Sequence, residues 1–490
     1  MQRLSGMDAT FLYVENPSHH MHVSMVAVFD VNDMPGGYSF TKVRDLVAAR
    51  LPQIEMFRRR LVTVPFNLGH PIWVEDPGFD LDYHLRRVAV TSPGTLTELT
   101  ELAGDFVGRQ LDRTRPLWEM QVVEGLEDGR IGLLAKVHHS MVDGVSGAEI
   151  LVHLFDLEPT PPAPTDVMPV EAVGERVPSD VEMVTHALLS AIRTPARIAR
   201  IVPGTIRSVA GLLQTRRNST GPNMPVPFTA PRTPFNASIT PHRSVAVTRL
   251  NLDDVKVVKR AFGCTVNDVV LALCGGALRT YLDRLGELPE TPLIAVVPIS
   301  VRGEGSTEGS NAVSAMFTTL ATDVADPGAR IAAISATTKG AKEEHKAIGA
   351  DLLTDWAEFA APAVFSRASR LYTSMKLADR HRPVHNVIVS NVPGPAFPLY
   401  LAGARLQMLC PLGPVMEGAG LNVTVLSYMD SVDVGLIACK ELIPDLWDLA
   451  HAFGESMDEL LAAAKAVTSP ATPKPRVKNA RKKVAAAKRA

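Results

Sequence analysis

Residues 138–144 read His138-His139-Ser140-Met141-Val142-Asp143-Gly144. In a chain with 14 His and 34 Gly among 490 residues, the pattern HHxxxDG is expected roughly 0.002 times by chance, so it calls for a chemical reading. An imidazole with a reference pKa of ~6.5 offers a neutral base near neutral pH, able to take a proton from a hydroxyl or a thiol. Adjacent side chains on extended backbone point to opposite faces, so one histidine of the pair faces a reaction and the other does not. Asp143 suits either of two roles: holding an imidazole tautomer as in a triad, or pairing with a distant arginine to fix the loop. Gly144 permits a turn or a close approach that a Cβ would block.

The elements around the motif explain how it is held. Trp118 to Val123 alternates at period two, Asp128-Gly129 supplies a turn, and Arg130 to Val137 is a second β-like run, which together predict a hairpin. Ser146 with Glu149 three residues on predicts a helix start. The motif therefore sits in a strand-to-helix connection, where side chains stay accessible between two rigid elements. Further on, the spacing predicts strands at Val245–Leu250, Pro292–Val301, Asn386–Ser390, Gly420–Tyr428 and Val432–Ala438. It predicts helices at Val266–Leu282, Ala329–Lys346 and Asp351–Lys376. Both halves read as sheets covered by helices, an α/β fold of two layered domains.

Composition bounds the rest. At ~150 residues per domain the length predicts two to three domains, and 46% hydrophobic with 21% charged residues excludes a disordered chain. The net charge of −2 hides eight cations after residue 473, without which the body carries about −10. Cys264, Cys274, Cys410 and Cys439 lack metal or redox spacing, and with no apolar leader at the start they point to a cytoplasmic protein. Fourteen prolines between Pro159 and Pro241 mark a crossover, within which Arg193, Arg197, Arg200 and Arg207 alternate with apolar residues. The expected division is an N-terminal domain at 1–158, a Pro-rich basic linker at 159–241, a C-terminal domain at 242–465 and a basic tail at 466–490.

The histidine motif in this setting resembles the CoA-dependent acyltransferases related to chloramphenicol acetyltransferase and to peptide-synthetase condensation domains. More of the chain resembles one branch, the bacterial wax ester synthase/diacylglycerol acyltransferase family. The matching residues are Leu4-Ser5-Gly6-Met7-Asp8-Ala9-Thr10-Phe11-Leu12, Pro116-Leu117-Trp118, Asn267-Asp268-Val269-Val270, Pro298-Ile299-Ser300-Val301-Arg302, Ser390-Asn391-Val392-Pro393-Gly394-Pro395 and Asp433-Val434-Gly435-Leu436. The resemblance spans about residues 1–463 and is loose over the Pro-rich middle.

It implies two chloramphenicol acetyltransferase-like domains with mixed sheets and a substrate tunnel between them. It implies direct transfer of a long-chain acyl group from acyl-CoA, a co-substrate with no further cofactor, to diacylglycerol or a fatty alcohol. His139 would be the general base, beside His138, with Asp143 chiefly structural and paired with Arg302. Asn267, Gly144 and Trp118 would line the substrate, Asn267 helping to hold the developing oxyanion. Asp268, Pro116 and Leu117 would support the site. Peripheral attachment to the inner membrane face or to lipid droplets would suit a lipid acceptor, served by the Arg-rich stretch and the Lys-rich tail. Such a tail alone does not argue for specific nucleic-acid binding.

Other readings stand beside these. His19, His20 and His22 could join His138 or Asp143 around a metal, although no spacing fixes such a site and none is expected. Gly144-Val145-Ser146-Gly147 is not a serine nucleophile elbow. Asn267-Asp268 also reads as a polar helix start, and Asn391 to Pro395 as a rigid turn. Two rival functions remain: a carrier-protein-dependent acyltransferase of polyketide-lipid or peptide assembly, and a non-catalytic lipid-binding protein of the same fold.

Overall fold

Among the described residues the strands gather into two six-stranded mixed sheets and a small three-stranded one. In this computed structural model the described residues are 2–142, 153–160, 178–185, 222–300, 313–348 and 362–468, with 203–205, 211, 214, 216 and 217 among the intervening ones. The first large sheet runs, in spatial order, Tyr400–Leu401, Ala404–Leu412, His22–Asp30, Ile131–His138, Trp118–Glu124 and Leu85–Ala89. The expected hairpin is its centre: Trp118–Glu124 and Ile131–His138 pair antiparallel with Trp118 opposite Val137. Asp128 and Gly129 in the connection both take positive φ, 58° and 68°, a conformation that Asp-Gly tolerates. The second large sheet runs Val313–Thr319, Ile294–Ser300, Val387–Val392, Leu421–Tyr428, Ser431–Cys439 and Arg243–Asn251.

Helices cover each sheet where the sequence buries apolar residues. Helix Leu96–Val107 starts at a capping box, in which the Thr95 N–H donates to Glu98 Oε2 at 2.7 Å. It packs between the two sheets in a shared core that includes Val26, Leu99, Phe106, Val247, Met408 and Cys439. Helix Val266–Leu285 is apolar nearly all round because it is buried nearly all round, within the core of the second sheet. Among the described residues no single helix is long and apolar enough to cross a membrane. A bent pair, Leu252–Phe262 with Val266–Leu285, is long and apolar enough together, but its 102° bend and the second helix's buried faces mark it as core.

One expectation about organisation is corrected. Residues 400–412, counted from sequence with the C-terminal domain, complete the first sheet, where Ala404–Leu412 pairs antiparallel with His22–Asp30. This covers an edge that would otherwise expose unpaired N–H and C=O groups. The same strand meets the second sheet through Asp433. Its fully buried carboxylate accepts from the Leu409 N–H at 2.9 Å and from Arg249 Nε at 2.7 Å, and Arg249 also donates to the Gln407 carbonyl. Gly435 lies two residues on, where an added Cβ would sit 2.2 Å from the Pro411 carbonyl oxygen. The Asp433–Leu436 motif thus fastens one sheet to the other.

Of the expected helix Asp351–Lys376, the part at Pro362–Ser374 is described as helix, and residues 351–361 lie outside the described residues. So do most of the Pro-rich linker, the Arg-rich stretch through Arg207, the Ser146–Glu149 capping box and the tail from 469.

Candidate active site

The motif begins at the end of a strand. His138 is the last residue of Ile131–His138, and His139 opens a one-turn helix, His139–Val142. The two backbone amides are held separately: the His138 N–H donates to the Leu117 carbonyl at 2.9 Å, and the His139 N–H to the Met21 carbonyl at 2.7 Å. Leu117 belongs to Pro116-Leu117-Trp118, so this run fixes the height of the histidine strand in the sheet.

His138 is sealed, with 1% of its surface exposed. Its Nδ1 accepts the Ser140 N–H at 3.1 Å and lies 2.7 Å from Ser140 Oγ, so the neutral ring carries its proton on Nε2. That nitrogen faces Glu15 Oε2 at 3.6 Å, and His22 Nε2 faces Glu15 Oε1 at the same distance. Arg113 completes the cluster, donating to Glu15 Oε2 from Nε at 3.0 Å and also from Nη2. Burial alone would raise the Glu15 carboxyl. The His138 and His22 rings that face it, with the Arg113 guanidinium bonded to it, outweigh burial and hold it far below the usual carboxylate range. Glu15 is therefore a buried anion against the strand end that carries the motif.

His139 is placed differently. Its ring lies on Phe11, centroids 4.0 Å apart and planes at 30°, and is half-buried. Burial, then the neighbouring His138, lowers its pKa to about 4, so the ring is neutral at physiological pH. A weaker opposing pull comes from its own backbone. Nδ1 is buried and has no hydrogen-bond partner among the described residues. With Nδ1 sealed, Nε2 is the nitrogen left to meet a substrate.

The N-terminal histidines line the far side of the cluster. His20 and His22 stack at 5.5 Å, His20 Nε2 donates to the Gly108 carbonyl, and burial lowers His19 and His20 to about 4 and His22 to about 3. Among the described residues no group of three or more His, Cys, Asp or Glu side chains is set to hold a metal. The cysteines described are free thiols.

The other expected residues separate by role. Trp118 is fully buried: its Nε1 donates to the Phe57 carbonyl at 2.8 Å, and its rings stack on Phe57 and His84 at 4.6 Å each. The expectation that it contacts substrate is corrected, because the PLW side chains Leu117 and Trp118 are core behind the site. Asp268 is the third residue of helix Val266–Leu285 and closes a capping box with Thr265, accepting its N–H at 2.9 Å and the Thr338 hydroxyl at 2.7 Å. Although burial pushes this carboxyl up, the bonds from Thr265 and Thr338 bring it down. Asn267, beside it, is half-buried and makes no hydrogen bond to His138 or His139 among the described residues. Asp143, Gly144 and Arg302 lie outside the described residues. Two cavities, of 240 and 560 Å3, are lined at Arg279–Glu459 and between helix Leu96–Val107 and Trp447; neither touches His139, so neither is the expected tunnel.

Sequence reasoning missed Glu15, Arg113, Phe11 and Ser140. Glu15 and Phe11 follow or belong to the Leu4–Leu12 motif, which gave them a signal without a role; nothing in the spacing ties Arg113 to residue 15.

Comparison with known proteins gives the arrangement its relatives. A wax ester synthase/diacylglycerol acyltransferase catalytic-domain model matches residues 4–270, and the corresponding C-terminal-domain model matches 309–461. A Mycobacterium tuberculosis protein named as a diacylglycerol O-acyltransferase is 42% identical over 94% of this chain and 90% of its own length. A second from the same species is 36% identical over 95% and 97%. The solved wax ester synthase/diacylglycerol acyltransferase of Marinobacter aquaeolei VT8 superposes with a TM-score of 0.66 at 30% identity, covering 94% of this chain and 99% of that one. The first condensation domain of the CDA synthetase, at 14% identity and TM-score 0.53 over 95% and 96%, shares the fold. By its two matched domains and its relatives along nearly the whole length, the chain belongs to the wax ester synthase/diacylglycerol acyltransferase family.

Proposed function

We propose that this protein is an acyl-CoA-dependent O-acyltransferase that moves a long-chain acyl group to diacylglycerol, making triacylglycerol, and to long-chain alcohols, making wax esters. The observation that carries the reading is His139: a neutral imidazole with Nε2 available, just past a strand end pinned by Leu117, Met21 and the Glu15–His138 contact. The acceptor hydroxyl gives its proton to Nε2 as its oxygen bonds to the thioester carbonyl carbon. The tetrahedral oxyanion then collapses, the C–S bond breaks, and the leaving thiolate takes the proton back from the imidazolium. No acyl-enzyme forms.

A ring with a pKa near 4 is a weak base in the free protein. The negative charge developing beside it in the transition state raises its proton affinity when the proton moves. Asn267 is the candidate donor to the oxyanion, and an Asp143–Arg302 pair would fix the loop after the motif. A water-excluding tunnel would keep hydrolysis from competing with transfer. The acceptor's apolarity suits a protein attached peripherally to a membrane or lipid droplet.

The test offers purified protein radiolabelled palmitoyl-CoA with diacylglycerol or hexadecanol, beside His139→Ala. Neutral lipid formed by the native protein alone supports the reading and ranks the acceptors. A folded His139→Ala of unchanged rate, or no product with either acceptor, overturns it.

A further inference from the structure

We propose that the outer face of helix Pro362–Ser374, with the chain to residue 382 and the aromatic turns at Phe66 and Phe228, docks on an anionic phospholipid surface. The helix is amphipathic the wrong way round for a protein in water. Its inward side is polar: Ser369 Oγ donates to the Val14 carbonyl at 3.1 Å, and Thr373 Oγ1 accepts from Asn16 Nδ2 at 3.2 Å. Leu371, two positions from each and so about 200° around the helix, is 58% exposed, and Met375 one turn on is exposed with it.

Two exposed aromatics lie next to the helix. The turn Pro65–Asn67 packs against it and holds Phe66 84% exposed, with φ at 58° for Phe66 and 55° for Asn67. Phe228, at φ 66° and 55% exposed, packs edge-on against His381, whose Nε2 meets the Tyr372 hydroxyl of the helix. Left-handed backbone is costly for a bulky aromatic, and neither exposed ring recovers that cost by burial within the chain.

Charge identifies the partner. Arg367, Arg370, Lys376, Arg380 and Arg382 are all exposed, and none is paired with a carboxylate among the described residues. Asp379 is the one acid of this stretch among the described residues, and it accepts the Ser238 N–H. Apolar side chains ringed by unpaired cations match the interface of an anionic bilayer, where headgroup charge meets acyl chain. The face is also well placed: its helix packs on Gly6–Val14, whose Phe11 lies on His139. A docked lipid surface would stand one helix away from the base, which rests on the proposed lipid acceptor for its use but not for its test.

The test is flotation of the full-length protein with phosphatidylcholine vesicles and with mixed phosphatidylcholine–phosphatidylglycerol vesicles. The native protein is expected to float with the mixed vesicles and not with the neutral ones. Arg367→Gln/Arg370→Gln should weaken that binding about 30-fold, from roughly 1 kcal/mol per cation. Leu371→Ser/Met375→Ser should weaken it with every cation, including the tail, in place. All are exposed substitutions, so thermal melts should match the native protein. Native protein that ignores anionic vesicles, or apolar variants that bind as it does, overturns the proposal. So does loss in the arginine variant of duplex DNA binding as strong as its vesicle binding, which would assign the cations to nucleic acid. Vesicle binding needs no turnover, and transfer to a short soluble alcohol is measured separately, so failure of docking and failure of the proposed chemistry read differently.

Discussion

Replacing Glu15 by alanine isolates what the buried cluster does. The side chain is 3% exposed, and its carboxylate faces Nε2 of His138 and of His22, with Arg113 as its cation. Losing one member of a buried ion pair costs about 3–5 kcal/mol. Here Arg113 is nearly half exposed and can turn to water, so the expected loss is nearer 2–3 kcal/mol. The effect on turnover has a separate origin. Glu15 touches the ring whose Nδ1 receives the Ser140 N–H, and thus steadies the first turn after His139. Letting that turn drift by about 1 Å costs on the order of 10²-fold in kcat. Because Glu15 is sealed away from the open side of His139, KM for acyl-CoA should hold. Glu15→Gln, which keeps the shape, should recover part of the loss. The assay is steady-state acyl transfer with thermal melts on Glu15→Ala, His138→Ala and the double variant, whose effects should fall well short of adding. Full additivity, or a folded Glu15→Ala within twofold of native kcat, would refute the coupling.

Asn267→Ala should lower kcat by about 10–10² with the melting temperature unchanged, since no described hydrogen bond depends on the side chain; an unaltered rate removes it from the oxyanion. Asp268→Ala should do the reverse, costing about 2–3 kcal/mol in melts as Thr265 and Thr338 lose their acceptor, with activity following the folded fraction. Gly435→Ala should destabilise by about 1–3 kcal/mol or more, because its Cβ meets the Pro411 backbone rather than a side chain that can move. Stability should also fall on acidification. His19, His20 and His139 are lowered to about 4, and His22 to about 3, from 6.5 unfolded, so between those values the unfolded chain binds more protons and the fold weakens as pH drops. Glu15, lowered from 4.5, adds in the same direction below that pH. Melts at pH 7 and pH 4.5 should differ clearly, and a flat profile would contradict the buried, neutral histidines.

Much of the frame around the motif was legible because it is local. The hairpin with its Asp-Gly turn, the helix starting at Thr265 and the antiparallel run of residues 421–439 each announce themselves within a short window. The strands at His22–Asp30 and Ala404–Leu412 did not, and their pairing joins residues nearly 400 apart, a choice that turns on which edge needs covering. Glu15 was unreadable for the same reason. Its partners lie at 22, 113 and 138, and only the closed sheet brings them to one carboxylate.

The different settings of His138 and His139 have a cause that alternation along a strand does not supply. Alternation on extended backbone predicts that two neighbours point apart, yet the backbone does not stay extended: the strand ends at His138 and helix begins at His139. What separates the rings is the change of conformation, enforced by two acceptors from different parts of the chain, the Leu117 and Met21 carbonyls. The first ring then meets Glu15, Ser140 and His22 in a sealed pocket, and the second meets one aromatic face and keeps a nitrogen free. Exchanging the two roles would need the strand to end one residue earlier, breaking its register with Trp118 and His22. The order of the pair is therefore set by the sheet, and the basicity of the second ring by how little water that sheet admits.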